Sequence, residues 1–119
     1  MRLIRLHILR TATNLLMNYV QLVPGIPKRL HYTDDYEIYR TIADKETGKP
    51  KRIHGWVFWV DEEDGVDVAK THSILSQKLF AHLEPFLPDK QYTRYDFIIT
   101  KLGDGFLADF NFQPIFRPE

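Results

Sequence analysis

Tyr92–Gln113 reads YTRYDFIITKLGDGFLADFNFQ, and the fold class turns on it. Two alternating runs flank Gly103-Asp104-Gly105. Asp-Gly suits a two-residue type I′ turn, which needs positive φ at both central positions. A turn on Asp104-Gly105 pairs Phe97 with Phe112, Ile99 with Phe110 and Lys101 with Ala108. A turn on Gly103-Asp104 moves that register by two residues and keeps the faces. A shift of one sets Phe97 against Asn111 and mixes them. Even registers place Tyr95, Phe97, Ile99, Phe106, Ala108, Phe110 and Phe112 on one side. Arg94, Asp96, Asp109, Asn111 and Gln113 take the other, with Ile98, Thr100 and Leu107 among them. The segment is an amphipathic hairpin.

Upstream, Val68–Leu83 reads as a helix. Val68, His72, Leu75, Leu79, His82, Leu83 and Phe86 share one face at the helical period, and Pro85 and Pro88 end it. Asp61–Asp67 (DEEDGVD) is an acidic connection. Before it, Tyr36–Ala43 (YEIYRTIA) and Arg52–Val60 (RIHGWVFWV) are rich in β-branched and aromatic residues and read as strands. Asp44–Pro50 (DKETGKP) carries turn chemistry, so these strands form a first hairpin. At the N-terminus, Ile4, Ile8, Ala12, Leu15, Tyr19 and Leu22 recur at helical spacing until Pro24-Gly25 and Pro27. The expectation is an α+β fold in α-β-β-α-β-β order: a four-stranded antiparallel sheet with two helices packed on one face. Residues 1–119 form a single domain on this reading, large enough to bury roughly two-thirds of the unfolded surface.

Composition narrows the chemistry. The 119 residues contain no cysteine, which removes disulfides, thiolate nucleophiles and cysteine zinc sites. Sixteen bases balance sixteen acids, so no nucleic-acid footprint arises from overall charge. The distribution is uneven. Residues 1–33 hold five bases and no acid, while residues 34–67 hold ten acids against five bases. The acid-free, amphipathic start reads as a structural helix, with a transit peptide as the alternative. Polar residues interrupt it too often for a membrane span. The expected compartment is the cytoplasm.

No constellation in the sequence meets the requirements of a catalytic or metal site. His7, His31, His54, His72 and His82 contain no i, i+4 pair, and no metal or other cofactor is expected. With Gly65 at the sixth position of a calcium loop, Val60 and Thr71 fall where acids belong. Ser73 and Ser76 lie outside any nucleophile elbow. Asp96 and Asp109 could act as acid and base, yet the same alternation keeps a sheet face wet. Trp56, Phe58 and Trp59 span both faces of one strand, and an exposed Trp next to acids would mark a protein contact.

Phe106-Leu107-Ala108-Asp109-Phe110-Asn111-Phe112 resembles the closing strand of YezG-like immunity proteins of bacterial polymorphic-toxin systems. That strand has a Phe, two residues, an acid, then aromatic-x-aromatic. The resemblance covers the C-terminal half, and Asp104 stands where the family has glycine. It implies a non-enzymatic immunity protein that binds and neutralises a cognate toxin domain, with no nucleic-acid or membrane partner. Asp61, Glu62, Glu63, Asp64 and Asp67, with Trp56 as anchor, are the expected partner-binding residues. A phage-type inhibitor of a host defence enzyme and a small carboxylate/His enzyme are the alternatives.

Overall fold

The described residues build five β-strands, each adjacent pair antiparallel. In a computed structural model that describes residues 18–105 and 107–118, these are β1 (Lys28–Ala43), β2 (Pro50–Glu63), β3 (Val66–Ile74), β4 (Tyr95–Lys101) and β5 (Phe110–Phe116). Their order in the single sheet is β3-β2-β1-β4-β5. One short helix, α1 (Gln77–Leu83), and two 3₁₀ turns, Glu84–Phe86 and Pro88–Arg94, link β3 to β4.

This corrects the expected α+β arrangement of four strands and two helices. The described part of the chain is mostly β. The difference lies in Val66–Ile74, a strand where the helical spacing predicts a helix from Val68. Val68 and His72 fit the helical period, but Val68, His72 and Ile74 also alternate, and all three are buried. Val66, Val68, Thr71 and Ile74 are β-branched, which favours the strand. Asp64 (φ 51°) and Gly65 (φ 82°) supply the positive-φ pair of a two-residue hairpin, closed by Glu63 opposite Val66. The Asp-Gly signal sought at Asp104-Gly105 is thus used at Asp64-Gly65. The helix begins only at Ser76, whose Oγ accepts from the Leu79 amide at 3.3 Å as an N-cap. The N-terminal helix expected over residues 3–23 lies mostly outside the described residues. Within them, Asn18–Val23 is not helical.

The two hairpins foreseen are both present. β1 and β2 pair from Leu30↔Glu63 to Ala43↔Pro50. β4 and β5 pair with Phe97 opposite Pro114 and Ile99 opposite Phe112. That register lies two residues beyond the Asp104-Gly105 one, because the connection from Leu102 to Asp109 is longer than a two-residue turn. The shift is even, so Phe97, Ile99, Phe110 and Phe112 stay on one face; Phe106 lies outside the described residues.

One face of the sheet is the core face. Leu30, Tyr32, Phe58, Val60, Phe97 and Ile99 meet Leu79, Phe80, Leu83 and Tyr92 from the helical connection. Tyr32 sits at its centre, with ring centroids 4.8 Å from Phe58 and 5.7 Å from Phe97. Burying a side chain the size of Phe58 contributes about 1.5–3 kcal/mol, so each ring of this cluster is a sizeable part of the core. The outer edge of β3 is met by Asn18–Val20: Val20 donates its amide to the Thr71 carbonyl at 2.7 Å. Among the described residues no helix is long and apolar enough to cross a membrane.

Candidate partner-binding surface

The acids of the β2–β3 hairpin are drawn together, and the fold supplies partners for them. Asp61 Oδ1 lies 2.6 Å from His31 Nδ1. The other ring nitrogen of His31 faces the Thr93 carbonyl at 2.8 Å. The two contacts fix the ring between β2 and the second 3₁₀ turn. Glu62 receives Arg117 at 3.4 Å. Asp64 accepts from the Arg29 amide at 2.9 Å and returns its own amide to the Arg29 carbonyl at 2.8 Å. Asp67 is buried and engaged within the protein.

Glu63 turns toward the core-face side. It takes Lys70 at 2.6 Å and Lys28 at 3.0 Å. Burial pushes the Glu63 carboxyl up, but the two ammonium groups outweigh it and hold it below the usual carboxylate range. Trp56, the expected anchor, stacks on Phe80 with centroids 3.9 Å apart and is half-buried. It joins the core rather than standing free.

The aromatics that do stand free are Trp59 and Tyr36. They are 48% and 46% exposed, with ring centroids 6.4 Å apart. Strand alternation explains this: Phe58 and Val60 point into the core, so Trp59 points to the opposite face. Tyr36 lies across from Val57, which puts it beside Trp59. Asp34 faces Trp59 in the β1–β2 register and is held by Lys90 at 2.6 Å. That hydrogen bond lowers the Asp34 carboxyl and raises the Lys90 ammonium. The neighbouring Asp35 accepts from the Tyr92 hydroxyl. Together these contacts clamp the irregular stretch of β1 between His31 and Asp34. The RIHGWVFWV alternation could have singled out Trp59 over Trp56, had the core side of the strand been known.

On the same face, Asp96 binds Arg29 Nε at 2.7 Å and Arg117 at 2.7 Å. Burial raises the Asp96 carboxyl, and the two guanidinium groups more than reverse that. Asp109 pairs instead with Lys78 at 3.0 Å, so the two carboxylates do not converge. An open cleft of about 680 Å³ lies beside this network, lined by His31, Thr93, Arg94, Phe116, Arg117 and Pro118. Of its polar side chains, His31 and Arg117 are already engaged. The other histidines are dispersed. His72 is buried on β3, where its Nδ1 shares a hydrogen bond with the Tyr32 hydroxyl at 2.8 Å. His82 is on α1, stacked on Phe112. His54 contacts Glu37 at 2.9 Å. Among the described residues no three His, Asp or Glu side chains gather as a metal site.

No known protein family's profile matches the chain, and no curated protein or solved structure matches it either.

Proposed function

We propose that the chain is a non-enzymatic inhibitor that binds and neutralises a cognate bacterial toxin domain, with Trp59 and Tyr36 as its anchor. The exposed aromatic pair carries this reading. Two large rings half in water, on the sheet face that the helical connection leaves uncovered, form the kind of anchor that dominates protein interfaces. The resemblance of Phe106–Phe112 to immunity proteins supplies the class of partner. Asp61, Glu62 and Asp64 flank the anchor but spend much of their charge on His31, Arg117 and the Arg29 amide. Exposed ion pairs contribute little, so their part is orientation and rim contact rather than strong steering.

The test is growth rescue by co-expression with the toxin domain encoded beside this chain. Trp59→Ala with Tyr36→Ala should abolish rescue and lower affinity by at least tenfold, with the thermal midpoint little changed. Alanine at Asp61, Glu62 and Asp64 should cost less. If the double aromatic variant protects as well as the parent, the surface is wrong. If the parent rescues no growth, the function is wrong.

A further inference from the structure

β1 and β2 outrun the rest of the sheet. β4 pairs with β1 only from Lys28 to His31, and β3 leaves β2 at Trp56↔Ile74. Beyond those points, among the described residues, 38–43 and 50–55 pair only with each other. Six residue pairs at strand rise give a two-stranded arm about 20 Å long. Its charge differs from that of its surroundings. Residues 38–54 hold Arg40, Lys45, Lys49, Lys51 and Arg52 against Asp44 and Glu46.

Those bases are placed outward. Arg40, Lys45, Lys49, Lys51 and Arg52 are all exposed, and among the described residues none pairs with an acid. Of the two acids, Asp44 is half-buried and turned inward, capping the Glu46 amide at 2.8 Å within the tip turn. The arm is also stiffened from one side. Arg52 lies 4.3 Å over the Tyr39 ring, Tyr39 stacks on His54 at 4.7 Å, and His54 meets Trp56 at 4.2 Å. This ladder ties the arm to Phe80 in the core. Arg40 and Lys51 project from the face opposite to Arg52, and Lys45 and Lys49 flank the tip.

We infer that this arm binds double-stranded DNA, lying in the major groove with its bases on the phosphates. A B-form major groove, about 12 Å wide, admits a two-stranded ribbon. A ribbon with cations on both faces and at its tip reaches the phosphates of both groove walls. Exposed N–H groups along both free edges add donors for phosphate oxygens. The zero net charge of the whole chain hides the arm, because its excess of three positive charges is offset elsewhere.

The experiment is fluorescence anisotropy of the whole chain against a mixed-sequence DNA duplex of about 20 base pairs, titrated between roughly 50 and 200 mM salt. Binding should weaken with a log–log salt slope of about −3 to −4, as expected for four or so neutralised phosphates. A triple variant, Arg40→Glu, Lys49→Glu and Lys51→Glu, should lose at least tenfold in affinity at the lowest salt while keeping the parent's circular dichroism and melting midpoint. Tyr39→Ala should weaken binding severalfold and leave the salt slope unchanged. Absence of binding at low salt overturns the inference. So does equal binding by the triple variant, or equal affinity for a poly-glutamate chain, which would mean that the arm answers to any acidic polymer. Lysines that merely keep the free edges from pairing with other chains would give the first of these results. None of these readouts requires a toxin, so the arm and the Trp59–Tyr36 surface stand or fall separately.

Discussion

His72 is buried against the aromatic core, with its Nδ1 hydrogen-bonded to the Tyr32 hydroxyl at 2.8 Å. Burial is the main cause and pushes its pKa from 6.5 down to about 4; Glu63 opposes the shift and Lys28 adds to it. The consequence for folding has a definite sign. Between those two values the unfolded chain binds the proton and the folded chain does not, so stability falls as pH falls. The full effect is on the order of 3 kcal/mol, of which roughly 2 is lost between pH 6.5 and pH 5. Glu63, Asp34 and Asp96 have lowered carboxyls, so their contributions vanish only at still lower pH. Urea midpoints at pH 7 and pH 5 should therefore separate in the parent. In His72→Gln, which keeps a hydrogen-bonding partner for Tyr32 but cannot titrate, they should nearly coincide. None of this is legible from the sequence, where His72 is one of five scattered histidines.

At the scale of elements, the β2–β3 hairpin shows why a helix was expected where a strand forms. Val68 and His72 satisfy both periods, and the Asp64-Gly65 turn together with the β-branched residues distinguishes them. Once that turn closes, Phe58 faces His72 and Trp56 faces Ile74. Gly55 lies next along β2, where the chain leaves β3. A Cβ there would stand 2.5 Å from Leu75 Cδ2 and 2.9 Å from the Ile74 carbonyl oxygen. The Leu75 tip can move, but the backbone oxygen cannot without opening the end of β3. Gly55→Ala should cost about 1–3 kcal/mol, read as a lower urea midpoint at constant m-value. A change within a few tenths would show that the strands separate easily here. The sequence marks Gly55 only as an interruption in an apolar run.

For the whole molecule, the sheet divides into a supported block and an unsupported arm. The block has the helical connection on one face and an ion network around Asp96 on the other. The arm has two strands, and among the described residues no third pairs with it. Few buried contacts and free edges give low local stability. Amide exchange in Ile38–Ala43 should therefore run well ahead of exchange in Tyr32, Phe58 and Phe97, measurable by hydrogen–deuterium exchange with proteolytic mapping. Equal protection in both regions would mean that the arm is held by contacts beyond its own pair. The candidate surfaces follow the same division: the acids of Asp61–Asp67 belong to the block and are largely engaged there, while the bases of residues 40–52 belong to the arm and stay exposed.

The sequence alone determined the local alternations. Both foreseen hairpins, their turn regions and the shared face of Phe97, Ile99, Phe110 and Phe112 follow from period-two patterning and from turn residues, which act over a few positions. Tertiary structure decided what those patterns meet. Which face of β2 turns inward makes Trp56 core and Trp59 surface. Which cations lie across the sheet turns a run of acids into ion pairs with His31, Arg117, Lys28 and Lys70. Apart from Lys70, which the β2–β3 hairpin brings to Glu63 from seven positions away, those partners lie thirty or more positions off and are brought close only by the strand order β3-β2-β1-β4-β5.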